Sequence, residues 1–328
     1  MQKIVISGAT GVLGAALIRC AKKQGFDIVC IVRKDSERAK TLIASNSVDI
    51  LQADLKDYNM LTPVITDCDV FIHLAWEKTF GNARDDVDAQ VCNIQYTLDA
   101  ARLAQRMGCK VFIGAGSQAE YGAVQCPLTE NTPVHPQSGY GIAKYTAGRL
   151  SALLCTQLDI RHNWLRILSV YGPNDAPYTL ISYVINELQN GQSPELTKCE
   201  QVWDYLYADD AAQAILAVAQ KGIHGKTYPL GSGTACKLSE YVNIIRDYVN
   251  PDIAIRFGAK EYYLHQPMFL QADITELTKD TGWKPETSFL EGLKKIYPPP
   301  PPVHTTQWVQ PKIKCCFYVT CFNEKKVA

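Results

Sequence analysis

The chain opens on a β-branched run, Lys3-Ile-Val-Ile6, that passes straight into Gly8-Ala-Thr-Gly11-Val-Leu-Gly14, with a helical stretch over 12–24 beginning inside the glycines. Few sequence features restrict a fold as tightly as this order. The first glycine allows a tight turn, the second lets backbone approach a pyrophosphate, and the third permits close helix–strand packing. The helix N-terminus then offers free N–H donors and the positive end of its dipole to phosphate. An ordinary glycine-rich turn is the plain alternative, so the pattern that follows has to decide.

That pattern alternates. Apolar strand-like runs recur at 27–32, 48–52, 69–74 and 110–114, with a long helical stretch at 84–107 between the last two. Strands without a polar face, separated by amphipathic helices, indicate a parallel sheet covered on both sides. This is the doubly wound α/β class. Ser138 then caps a helix running to 157, and a strand over 161–170 ends at Tyr171-Gly-Pro173. Later helical stretches fall at 177–190, 209–220 and 238–248. The expected organisation is a Rossmann domain over 1–170, with a segment near 203–230 returning to it. Residues 171–297 are expected to form mainly a smaller α/β substrate-binding lobe. Five prolines at 298–302 begin a tail, 298–328, without amphipathic period, expected to be disordered.

Thirty-three basic residues balance 33 acidic ones, a poor electrostatic footprint for nucleic-acid binding. No apolar run reaches membrane-spanning length, and the first residues run directly into a strand, so neither a span nor a signal peptide is expected. Of the 12 cysteines, nine are scattered through regular stretches without a Cys-x-x-Cys pair. A reduced, cytoplasmic protein is the expectation. Cys315, Cys316 and Cys321, with only His304 near in sequence, have the wrong spacing for a zinc knuckle, so no metal is expected.

At the end of the second strand the sequence reads Val32-Arg33-Lys34, with Arg38 a turn further on. A carboxylate there would hold the ribose hydroxyls of NAD, whereas a guanidinium suits a 2′-phosphate. NADP is therefore favoured over NAD, against the alternative of a solvated basic turn. Asp54, after the third strand, could accept a hydrogen bond from an adenine amino group or could cap a helix near Asp57. Tyr140 and Lys144, four apart on one helix, share a face. Free tyrosine is a poor base at neutral pH; a nearby ammonium or an oxidised nicotinamide favours the phenolate. Tyr140 can then exchange a proton with a hydroxyl or carbonyl oxygen, and Ser117, at the carboxyl edge of the sheet, can hold the same oxygen. Either half alone is a weak signal; together, in this order, they describe a hydride-transfer site.

With these residues in place, the chain over 1–297 resembles the extended short-chain dehydrogenase/reductases, specifically the nucleotide-sugar epimerase/dehydratase family. The glycine segment matches the family's cofactor motif, so Thr10, Val12 and Leu13 join the glycines as implied cofactor contacts. Asp54-Leu55 resembles the adenine contact, and His73-Leu74-Ala75, with Trp76 following, the strand beside the cofactor. Asn93 resembles the family's helix-borne asparagine. Ser117-Gln-Ala-Glu-Tyr-Gly122, Tyr140 and Lys144 match the catalytic set, and the resemblance implies that Lys144 lowers the tyrosine pKa and holds the nicotinamide ribose. Residues 165–173, Trp203-Asp-Tyr-Leu-Tyr-Ala-Asp-Asp210 and Gly282-Trp-Lys-Pro285 resemble later family segments.

The departures narrow the chemistry. Family 4,6-dehydratases carry an Asp-Glu pair after the catalytic Ser/Thr, where this chain has Gln118-Ala119, and Glu120 stands one position late. Dehydration is disfavoured. Ser169 replaces a frequent asparagine near the substrate phosphates and Trp203 a common arginine, so these two and Gln118 are the candidate substrate contacts. The resemblance implies a nucleotide-sugar substrate and a homodimer. The expected reaction is NADPH-dependent reduction of a 4-keto-deoxysugar. A 4-epimerase with tightly held NAD is the alternative, and a non-catalytic cofactor-sensing regulator is a third reading, opposed by the complete Ser117, Tyr140 and Lys144 set.

Overall fold

The computed structural model describes residues 2–44, 47–262 and 266–298. Six strands open the chain: β1 Lys3–Ser7, β2 Asp27–Val32, β3 Asp49–Gln52, β4 Val70–His73, β5 Val111–Ser117 and β6 Arg161–Ile167. Among them run α1 Val12–Lys23, α2 Glu37–Ala44, α3 Val87–Arg106 and α4 Gly139–Gln157. Shorter elements follow: β7 Ser169–Tyr171, α5 Leu180–Gln189, β8 Val202–Trp203, β9 Tyr205–Tyr207, α6 Ala208–Lys221, β10 Thr227–Leu230, β11 Cys236–Lys237, α7 Leu238–Val249, α8 Thr275–Thr281 and α9 Phe289–Ile296.

Seven strands form one sheet in the order β10-β6-β5-β4-β1-β2-β3, every pair parallel. This is the doubly wound Rossmann arrangement expected from the sequence. Period-2 alternation explains the apolar strands: Ile4 and Ile6 enter one core with α1 and α6, while Val5 enters the other with α3. Val70 and Ile72 against Phe71, and Ile113 against Phe112, repeat the pattern. A further apolar cluster joins Tyr171, Ile181, Val184 and Leu188 to Tyr241, Val242 and Ile245 of α7. The strand order reverses between β1 and β4, which opens a crevice at their carboxyl ends.

Three departures from the sequence reading shape the site. The stretch 84–107 is not one helix: a 3-10 turn, Gly81–Asp85, precedes α3, and extended Asp86 caps α3 by accepting from Ala89 N at 3.2 Å. The strand at 110–114 continues to Ser117, in register with Ile167. The strand at 161–170 breaks at Leu168, so that β7 leaves the main sheet and pairs with β9. Helices α2, α8 and α9 were not anticipated. The expectation for the tail lies outside the described residues, apart from Pro298. No helix among the described residues is long and apolar enough to cross a membrane.

Candidate active site

The glycines do what their spacing suggests. Gly8 has φ +77°, and a Cβ there would lie 2.8 Å from Ala75 N and 2.9 Å from the Leu74 carbonyl carbon. A Cβ on Gly14 would lie 2.4 Å from Gly8 O. Gly11 begins α1 without a side-chain cap and with no acidic residue in the first turn, leaving N–H groups free to meet an anion. This cradle fits a pyrophosphate, which the dinucleotide of such a fold would supply.

Around it lies a cavity of about 490 Å³, walled by Gly8, Thr10, Arg33, Leu55, Ala75 and Trp76, together with Tyr58 and Lys78. A second hollow shares Thr10, Arg33 and Ser36 and adds Lys34, Asp35, Glu37, Arg38 and Asp54. Asp54 precedes a 3-10 turn, Leu55–Asp57, but its side chain makes no cap hydrogen bond, which leaves its carboxylate to the hollow. Asn93 and Leu74 are off the cavity walls. Asn93 is buried and binds the Glu77 backbone at both ends, accepting from N and donating to O, each at 3.0 Å, and so pins the loop that carries Trp76. His73 is buried too, its Nδ1 2.8 Å from Ser7 Oγ. Burial, with the Lys144 charge adding to it, pulls its pKa down to about 3, so the imidazole is neutral.

The catalytic candidates converge on the start of α4. Ser138 Oγ accepts from Gly141 N at 3.1 Å, and Asp85 Oδ1 accepts from Gly139 N at 2.8 Å, which fixes the first turn. Lys144 is buried; its Nζ donates to Ala115 O at 2.6 Å and lies 3.7 Å from the Trp76 ring centroid. Burial outweighs the nearby Glu120 carboxylate and brings the ammonium down to about 7. Tyr140 packs edge-on against Trp76, with the Arg84 guanidinium 4.6 Å from its ring centroid. Burial pushes its phenol up, against the Ser117 hydroxyl and Arg84, which favour the phenolate.

The Lys144 ammonium, held by the Ala115 carbonyl and the Trp76 indole, lies 5.6 Å from the Tyr140 ring centroid. Sequence reading missed what Glu120 does. Its Oε1 accepts from Ser117 N at 2.8 Å and from Trp164 Nε1 at 2.9 Å, and its Oε2 from Arg166 Nε at 2.8 Å. Fully buried and paired, this carboxylate anchors Ser117 and is not free for acid–base work. The Ser-x-x-Glu spacing of a capping box was the available signal.

A larger cavity, about 1050 Å³, begins at Tyr140, Val12 and Leu13 and extends past Ser169, Tyr171, Trp203 and Tyr205. Val12 and Leu13 therefore face this cavity, although sequence reading placed them with the cofactor. Trp203 Nε1 donates to Ser169 Oγ at 2.7 Å, so the two candidate substrate contacts meet. Gln118 opens the turn after Ser117 and is not on the cavity wall. The neighbouring acids are structural: Asp204 accepts from Ser232 N, Gly233 N and Ala272 N, and Asp210 from Glu286 N and Thr287 N.

A dinucleotide cradle and a Ser/Tyr/Lys set thus sit at one sheet edge, and a model of the NAD dependent epimerase/dehydratase family matches residues 4–231. The chain belongs to that family. Membership makes it an enzyme of the NAD-dependent epimerase/dehydratase type, in agreement with the resemblance read from its motifs. Among relatives, CDP-abequose synthase of Salmonella muenchen is 25% identical over 304 residues, covering 90% of this chain and 97% of its own. The family fold is shared with UDP-glucose 4-epimerase of Thermotoga maritima, solved with UDP-glucose, at TM-score 0.81 and 22% identity over 90% of this chain and 97% of that one. UDP-glucuronic acid 4-epimerase of Bacillus cereus, solved with UDP-glucuronic acid and NAD, superposes at TM-score 0.78 and 21% identity, covering 90% and 98%.

Proposed function

We propose that the protein reduces a nucleotide-linked 4-keto-deoxysugar with NADPH, the Rossmann part over 1–170 holding the cofactor and residues 171–297 mainly the substrate. The observation that carries this reading is the hollow at the end of β2, where Arg33, Lys34 and Arg38 line the same space as Thr10, alongside Asp35, Glu37 and Asp54. Guanidinium groups are the side chains best suited to bind a 2′-phosphate. The cofactor, when bound, supplies a hydride to the carbonyl carbon. Tyr140 gives its phenolic proton to the carbonyl oxygen, which leaves an alcohol and a phenolate that solvent reprotonates. Burial keeps the phenol protonated at neutral pH, the form that a reduction consumes. Ser117, held by Glu120, orients the oxygen. Gln118-Ala119 offers no acid–base pair for loss of water.

A 4-epimerase is the second reading, favoured by the fold neighbours that are themselves 4-epimerases. Incubation with nucleotide sugars separates the two. A reductase consumes one NADPH per product; an epimerase converts substrate with only catalytic cofactor, and that outcome would overturn the reductase reading. A homodimer through α3 and α4 belongs to the same proposal. These helices pack on each other and leave Val87, Val91, Ile142, Leu150 and Leu153 exposed. Such an apolar surface suits a partner copy.

A further inference from the structure

Trp76 stands between the two halves of the site. It follows Ala75, whose backbone packs against Gly8, and it lines the cofactor cavity. Its indole also meets α4: the Lys144 ammonium lies over the ring, 3.7 Å from the centroid, and the Tyr140 ring packs edge-on at 6.0 Å between centroids.

The Lys144 charge has few counterparts. The residue is 3% exposed, its Nζ donates to Ala115 O at 2.6 Å, and it forms no ion pair among the described residues. Glu120 is the nearby carboxylate, and it is committed to Arg166, Ser117 N and Trp164 Nε1. On the other packed elements, His73 of β4 is neutral, Arg84 lies over the Tyr140 ring, and Asp85 accepts from Gly139 N. An ammonium carries three N–H donors, and Ala115 O takes one. The Trp76 face is the second group that meets it. Indole is the aromatic surface that attracts a cation best, and most strongly where water is excluded.

The indole is latched in that pose. Its Nε1 donates to Oε1 of Gln90 at 3.0 Å, and Gln90, itself buried, donates from Nε2 to Lys78 O at 3.1 Å. Asn93, one turn along α3, holds both the N–H and the carbonyl of Glu77 at 3.0 Å. Helix α3 thus fixes the edge of the ring and the backbone that follows it, and leaves the face turned to Lys144.

We propose that Trp76 is a positioning residue of this site, whose indole face holds the Lys144 side chain in its charged form beside Tyr140 and the cofactor cavity. This deepens the reading of Ser117, Tyr140 and Lys144 as the proton-transferring set and rests on it. Burial works against the ammonium, and the π face offsets part of that penalty without bringing a carboxylate into the site.

The test follows the side-chain Cε resonance of Lys144 against pH in the full chain labelled at lysine, the resonance being the one absent from Lys144→Met. A tryptophan fluorinated on its benzo ring, placed at position 76 by nonsense suppression, keeps the shape of the indole and withdraws negative charge from its face. It is expected to lower the Lys144 midpoint by about half a pH unit. Trp76→Leu removes the face altogether and should lower the midpoint by about one pH unit. A midpoint that stays or rises in either protein overturns the proposal, since the indole would then do no more than exclude water. The fluorinated protein keeps the packing intact should Trp76→Leu not fold. Neither substrate nor turnover enters the measurement, so its failure is distinct from failure of the proposed reaction.

Discussion

The indole of Trp203 and the hydroxyl of Ser169 share a 2.7 Å hydrogen bond on the wall of the large cavity, joining the β7 and β8 segments. Both positions stood out in the sequence as departures from the family pattern, and the fold makes them one unit. Tyr241 Oη, which donates to Trp203 O at 3.0 Å, ties that unit to α7. Loss of either partner strands the other, so Ser169→Ala and Trp203→Phe should be non-additive. A double-mutant cycle by urea unfolding should return a coupling of about 0.5–1.5 kcal/mol. Additive effects would mean that the bond contributes nothing measurable.

Glu120 and Arg166 form a buried pair, with side chains 1% and 7% exposed. Glu120→Ala leaves a buried guanidinium uncompensated and should cost about 3–5 kcal/mol of stability. Glu120→Gln keeps an acceptor for the Ser117 and Trp164 N–H groups and should cost less. Equal losses in thermal unfolding would show that charge is not what matters there.

Lys144 makes stability depend on pH. Its folded value near 7 lies below the ordinary 10.5, so between those limits the unfolded chain binds a proton that the folded chain does not. The burial penalty is full below about pH 7 and disappears towards pH 10.5, so stability from this group rises with pH across that window. Relative to Lys144→Met, the wild type should gain on the order of a few kcal/mol between neutral and alkaline pH. Denaturant unfolding at several pH values checks it, and a flat difference contradicts it.

Arg33→Asp places a carboxylate where the hollow now offers a guanidinium. NADPH binding should weaken by about tenfold or more relative to NADH. Titration by fluorescence measures both affinities; an unchanged preference removes Arg33 from the 2′-phosphate reading.

What the sequence showed and what it hid divide along physical lines. The glycine cradle and the Tyr140–Lys144 face were legible because both are local: a turn of left-handed φ at Gly8, and two residues one helical turn apart. The sheet was legible because alternating side chains feed two cores from one apolar strand. Ser117-x-x-Glu120 was visible as a spacing, but its buried partners, Trp164 and Arg166, lie on another strand. Arg84 was not legible at all. Its contact with Tyr140 depends on the break before α3 at Asp86, which a continuous helix over 84–107 conceals. The same holds for Ser169 and Trp203, brought together only by the pairing of β7 with β9.

The most direct test of the account is Tyr140→Phe, assayed as NADPH oxidation coupled to reduction of a nucleotide-linked 4-keto sugar, with cofactor affinity measured on the same protein. The account predicts that turnover falls by about 100-fold or more while cofactor affinity stays within about twofold of wild type. Turnover near the wild-type rate would contradict it, since the proton would then come from a group other than Tyr140.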